Sequence, residues 1–185
     1  MITREEAMDC LRQSGMDQAL LRHSLAAEAI LGALAQKLGE DVNVWSLTGL
    51  LHDLDYPQTH DAPDRHGLIS AEKLAGKLPE EALQAIRAHN EMNGCQPASR
   101  FDYALRCGET VTGLVMAAAL VRPTGMEGMQ ASSLKKKMKD KAFAASVSRA
   151  NIKECAELGL ELGDFLTLSI AAMTPLADKL GLTRA

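Results

Sequence analysis

The chain has 185 residues and five histidines: His23, His52, His60, His66 and His89. One of them ends an apolar run. In GLLHDLDYP, Gly49 to Pro57, hydrophobic residues lead to His52 and then give way to Asp53 and Asp55. Groups of this kind are costly to bury without partners, so solvent, a helix cap or a metal ion must satisfy them. Imidazoles and carboxylates around an open coordination position are the ingredients of a hydrolytic metal centre. Neighbours such as His52 and Asp53 do not share a helix face and can reach one ion only where the helix is ending. Asp55 and Pro57 put that boundary in the right place. Each candidate also has an ordinary alternative. His23 fits a satisfied core histidine, His66 a helix start, His89 a helix C-terminus, and Glu109 a solvent-facing acid. Taken together, those alternatives need four independent coincidences.

The elements that must position these side chains read as helices. Residues 2–13 form a short amphipathic pattern ending near Ser14-Gly15. Asp17 then caps a long helix carrying His23, which stops at Gly39. Asp41 or Asn43 opens the next, through VWSLTGLLHD, and DYPQTHDAPD reads as a loop rich in proline and aspartate. Helical pattern resumes at about 64–76, and Pro79 starts another helix through EEALQAIRAHN. A loop, NGCQPAS, precedes FDYALRCGETVTGLVMAAALV, which ends at Arg122-Pro123. Gly108 and Gly113 within that stretch each lower helix propensity by roughly 1 kcal/mol against alanine, which points to a close backbone approach near Glu109. The remainder predicts helices near 131–138, 140–158 and 161–180. No alternating strand pattern occurs. The expected fold is an all-α bundle, one domain over residues 1–185, with a metal-site core at about 17–122 and a helical extension at about 123–185.

Composition agrees with that class. An apolar fraction of 46% supports a sizeable core, and aromatic content of only 3% leaves Leu, Ala, Met, Val and Ile to fill it. No apolar run is long enough to span a bilayer, and the charged first dozen residues do not resemble a secretory signal. Cys10, Cys95, Cys107 and Cys155 are scattered without a C-x-x-C pair, as suits a reducing cytoplasm. The net charge of −4 argues against general nucleic-acid binding, though not against a small anion. One local exception is the basic run Lys135 to Lys141, KKKMKDK, whose simplest reading is a solvated face.

His23, then His52-Asp53, then a late acid in an Ala/Leu-rich helix resembles the HD-domain superfamily of metal-dependent phosphohydrolases. The stretches LLHDLDYPQTHDAPDRHGLISAEKL, IRAHNE and ETVTGLVMAAALVRP are similar to an HDIG-type branch of predicted hydrolases. The resemblance extends over nearly the whole chain, including ELGLELGDFL. It implies that His23, His52, Asp53 and Glu109 are metal ligands. Glu109 stands in G-E-T-V-T-G-L where the family pattern has aspartate, one methylene shorter. His66 and His89 occupy the positions that hold a second ion in binuclear members, with Asp53 bridging the two.

The resemblance implies a phosphomonoesterase or phosphodiesterase acting on a small phosphorylated molecule such as a nucleotide, through metal-activated water. One or two divalent ions are expected. So many imidazoles suit Fe, Mn, Ni, Co or Zn better than Mg²⁺. Asp55 is the candidate for orienting a ligand or for acid/base work. Arg65, Lys73, Arg87, Arg122 and the Lys135–Lys141 run are the candidates for holding phosphate. The competing readings are a binuclear-iron oxygenase of the same superfamily and a non-catalytic metal- or nucleotide-binding module.

Overall fold

The computed structural model describes residues 1–183. Among them the structure is all-helical, without a strand. Helix α1 (Arg4–Gln13) begins at a capping box in which Thr3 and Glu6 satisfy each other's backbone N–H groups. Helix α2 (Gln18–Leu38) starts where the Asp17 carboxylate accepts from Leu20 N and ends on Gly39 at φ 75°, a left-handed position that suits glycine. Asp41 caps α3 (Val42–Leu51), accepting from Asn43 N and Val44 N. Helix α3 is buried on nearly all sides, consistent with its almost unbroken apolar sequence.

Next come a one-turn helix α4 (Tyr56–Thr59), then α5 (Leu68–Leu74) and α6 (Glu80–Ala88). Helix α7 (Arg100–Leu120) opens on a Ser99/Asp102 capping box and runs through the centre of the bundle. After it come α8 (Ala131–Lys139), α9 (Arg149–Lys153) and α10 (Leu162–Met173).

Helices α2, α3 and α7 are drawn close by glycines. A Cβ on Gly49 would sit 2.7 Å from the Ala27 carbonyl oxygen, and one on Gly108 would sit 2.7 Å from Leu31 Cδ2. The close approach expected near Glu109 is therefore real, and its partner is the apolar stripe of α2. Trp45 of α3 stacks on Phe101 of α7, with ring centroids 4.6 Å apart. Leu31, Leu34, Leu47, Leu50, Leu105 and Leu114 are fully or almost fully buried in the same core.

Four elements differ from the sequence reading. The segment expected to be a loop after His52 is wound into α4 and a 3₁₀ turn at Pro63–Arg65. Local bonds hold it, since Thr59 Oγ1 donates to the Asp55 carbonyl. The following helix starts at Leu68 rather than near 64, after Gly67 at φ 84°. Helix 140–158 is absent as a single element. Residues 140–148 are irregular, and the Arg149 guanidinium clasps the carbonyls of Asp140, Phe143, Ala144 and Val147. The last helix stops at Met173, where Pro175 forces a 3₁₀ turn.

Candidate metal centre

Helix α3 ends at His52, and the turn that follows swings Asp53 to the same side. From α2 comes His23, from the start of α5 His66, from the end of α6 His89, and from the middle of α7 Glu109. The other five side chains gather around Asp53. Its Oδ1 lies 3.2 Å from His52 Nε2, 3.3 Å from His66 Nε2 and 3.5 Å from His89 Nε2. Its Oδ2 lies 3.5 Å from His23 Nε2, and Glu109 Oε2 is 3.7 Å from that same nitrogen. The two carboxylate oxygens thus face two different groups of donors. Ligand atoms of His23, His52 and Glu109 fall within 4.8 Å of one another, as do those of His52, Asp53 and His89.

The outer hydrogen bonds fix which nitrogen of each ring is bare. His52 Nδ1 donates to the Gly49 carbonyl at 2.8 Å, and His89 Nδ1 donates to the Ile86 carbonyl at 2.6 Å. His66 Nδ1 donates to Asp55 Oδ1 at 2.7 Å. The Thr112 hydroxyl spends its proton on the Glu109 carbonyl, so its oxygen accepts from His23 Nδ1 at 2.7 Å. Every neutral ring therefore points an unprotonated Nε2 inward. His23 and His52 Nε2 are 3.1 Å apart, and His66 and His89 Nε2 are 3.0 Å apart. Lone pairs at that separation repel unless a proton or a metal cation lies between them. Rings oriented from behind by carbonyls and a carboxylate are the usual arrangement around a bound metal.

Protonation follows the same logic. Burial, with His23 and His89 adding to it, pushes His52 down to about 3, so it stays neutral. Burial also lowers His23, although Asp53 opposes it. Burial acts against a charged His66 too, but hydrogen bonds to Asp53 and Asp55 raise it to about 9. Burial alone would raise the Asp53 carboxyl; His52, with hydrogen bonds from His66 and His89, carries it well below the ordinary range. Glu109 rises to about 8, through burial first and then through Asp53, against the opposing bond from Thr110. Without a cation the pocket thus retains protons on His66 and Glu109 at neutral pH. A divalent ion would displace both.

Asp55 lies behind His66, fully buried. Its Oδ2 accepts from Gly67 N and Ser70 N, both at 2.8 Å, and Ser70 Oγ accepts from Asp55 N. All its hydrogen-bonding capacity goes into tying the start of α5 and fixing His66, so it orients a ring and does not face the cleft. Asp55→Ala should cost about 3 kcal/mol in urea unfolding, since two buried N–H groups and an imidazole lose their acceptor. The same variant should bind metal roughly 10- to 100-fold more weakly in a titration, as expected for losing a partner behind a ligand.

A cleft of about 710 Å³ opens over His23, Asp53, His66, His89 and Glu109. Tyr56, Asn90, Glu91, Met92, Ser146 and Asn151 help to wall it. None of Arg65, Lys73, Arg87 or Arg122 lines it. Arg87 is held by Glu80 and Gln84, and Arg122 is spent on the carbonyls of Gly125 and Glu127. His60 stays outside on the exposed Asp61. The sequence reading did not single out Thr112, Ser70, Ser146 or Asn151. Thr112 had a signal in its spacing, three residues after Glu109; Ser146 had none, because it reaches the cleft from an irregular segment, and Asn151 reaches it from the short helix α9.

Comparison with known proteins agrees with this geometry. The family model described as "HD domain" matches residues 20–121. Ribonuclease Y of Lawsonia intracellularis is 33% identical over 105 residues, covering 56% of this chain and 20% of that protein. Ribonuclease Y 1 of Pediococcus pentosaceus is 40% identical over 76 residues, 40% of this chain and 14% of that protein. Ribonuclease Y of Aquifex aeolicus is 34% identical over 97 residues, 51% of this chain and 17% of that protein. The chain spans about a fifth or less of the length of these relatives. No solved structure gives a significant match. No helix among the described residues is long and apolar enough to cross a membrane.

Proposed function

Because this chain belongs to the HD domain family, we propose that it is a metal-dependent phosphohydrolase acting on a phosphorylated molecule of the nucleotide class. The observation that carries this reading is the convergence of four Nε2 atoms on the carboxylate of Asp53. His23, His52, Asp53 and Glu109 suit one ion, and His66, His89 and Asp53 a second. Bound there, a divalent ion supplies a water ionisable near neutrality and polarises a phosphoryl oxygen.

The cleft's own charge supports a role for cations. Asp17, Asp53, Glu91 and Glu109 line it and no lysine or arginine does, so a phosphate meets repulsion until positive charge is bound below it. The chain's residues then divide the work. Asp55 and Thr112 hold His66 and His23 in register. Tyr56 stands edge-on to His66 with ring centroids 5.3 Å apart and walls the cleft on that side. Asn90 donates to the carbonyls of Pro63 and His66 and so anchors the cleft's rim. The Ser146 hydroxyl lines the cleft, where it would donate to a phosphoryl oxygen. Similarity to proteins named ribonuclease favours a phosphodiester over a monoester.

The test is elemental analysis of protein purified without chelator, followed by mono- and diester substrates assayed with and without restored metal. Chelator-sensitive turnover is expected. Protein that takes up no transition metal and turns over no ester would overturn the reading.

A further inference from the structure

A second cavity, of about 880 Å³, lies beyond the segment 144–148 and has the opposite charge character. Lys135, Lys139, Lys141, Arg149 and Lys153 line it, over an apolar floor that includes Met138, Val147 and Leu162. No carboxylate lines this cavity, and no ion pair is formed by any of its four lysines among the described residues. Arg149 is the staple of the neighbouring segment rather than a free cation. The exposed lysines are left to face the cavity.

Their arrangement is regular. Lys135 and Lys139 are four residues apart on α8, and Arg149 and Lys153 are four apart on α9. One helical turn separates the members of each pair, roughly 5–6 Å between Cβ atoms. That is of the order of the repeat between successive phosphates along an extended strand. Lys135 Nζ is also held against the first turn of α10: it would lie 2.6 Å from a Cβ on Gly163.

A smaller hollow lies between this cavity and the metal cleft. This hollow, of about 340 Å³, shares His23, Glu109, Ser146 and Asn151 with the cleft. On its other side the hollow shares Val147 with the basic cavity. A drug-sized molecule fills roughly 300–1,000 Å³, so the basic cavity alone accommodates a nucleotide, and a ligand reaching both places is longer than one. The acidic cleft cannot supply the binding energy for a polyanion. The basic groove can.

We propose that the groove between α8 and α9 holds the phosphate backbone of a single-stranded oligonucleotide whose next phosphodiester enters the metal cleft. This rests on the phosphohydrolase reading for the fate of that phosphodiester, while the binding itself does not need turnover. The net charge of −4 is no obstacle, because the positive charge is segregated on one face. The aromatic-poor floor offers bases apolar contact and no stacking platform, so little sequence preference is expected.

The experiment is fluorescence anisotropy of labelled oligoribonucleotides of one, two, four and eight units, with chelated wild-type protein at low salt. Affinity should rise with length. In Lys139→Ala/Lys153→Ala it should fall at least tenfold for the longer strands, and the salt dependence, log Kd against log[salt], should become shallower by about 1.4 for two lost phosphate contacts. Both lysines are exposed, so folding is not at issue, and the charge-matched Lys37→Ala/Lys179→Ala should bind like wild type. Binding that does not increase beyond one unit would make this a mononucleotide pocket and overturn the proposal. Equal binding by the two double variants, or no binding at low salt, would leave a solvated basic face and overturn it as well. Length-dependent binding without hydrolysis under any metal would retire the phosphohydrolase reading and leave the groove standing.

Discussion

Asp53→Ala should lower turnover of the best phosphoester substrate by at least about a thousandfold, and the purified variant should hold little transition metal. The size follows from the site. Charge stabilisation by a bound ion contributes several kcal/mol, and each 1.36 kcal/mol is a factor of ten in rate. Asp53 is the one carboxylate that faces both donor groups, so its loss weakens both at once. Folding should survive, because the residue follows the end of α3 and its side chain packs no core. The chelated protein gives a second readout. His66 is raised from 6.5 to about 9 by Asp53 and Asp55. A group with a raised folded value contributes stability that is fully present below its unfolded value and is lost as pH rises through the folded one. Chelated wild type should therefore lose stability between about pH 6.5 and 9, and Asp53→Ala should flatten that slope. Urea unfolding at pH 6 and pH 9.5 measures it. Wild-type metal content in the variant would count decisively against the site.

The second large effect concerns the number of ions. His66→Gln and His89→Gln should each remove about one ion per chain and spare the ion held by His23, His52 and Glu109. Their Nε2 atoms meet at 3.0 Å beside Asp53 Oδ1, while His52, beside the same oxygen, meets His23 at 3.1 Å, and His23 faces Oδ2. Glutamine keeps the size of the side chain and places no imidazole nitrogen there. Uptake of the second ion should also release protons, since His66 otherwise retains one up to about pH 9, so apparent affinity should climb with pH over that range. Metal analysis and titration of wild type and both variants at matched pH decide the matter. Equal stoichiometry in all three proteins would reduce the site to a single ion.

Much of this was legible in the chain. The caps at Asp17 and Asp41 and the stop at Gly39 were local signals, because a cap is a bond between a side chain and backbone two or three residues away. The composition and the 3.6-residue periodicity determined an all-helical fold for the same reason: they reflect short-range geometry and a shared need to bury one face. The six clustered residues, His23, His52, Asp53, His66, His89 and Glu109, were also identifiable, because their order and motifs resemble the HD-domain superfamily.

Other features depended on elements distant in sequence. The role of Asp55 was open between orientation and acid/base chemistry until the start of α5 folded onto it and took up both its oxygens. Arg87 and Arg122 looked available for phosphate, but partners three to seven residues away along the chain hold them, in geometry that residue type alone does not show. The segment 140–148 had helical pattern, yet Arg149 gathers its carbonyls into an irregular wall that carries Ser146 to the cleft and Val147 to the basic groove. Residue type and spacing decide which helices form and which side chains can bind a metal. Only packing decides which of those side chains meet, which polar atoms are already spent on a neighbour, and which charges are left facing an open cavity.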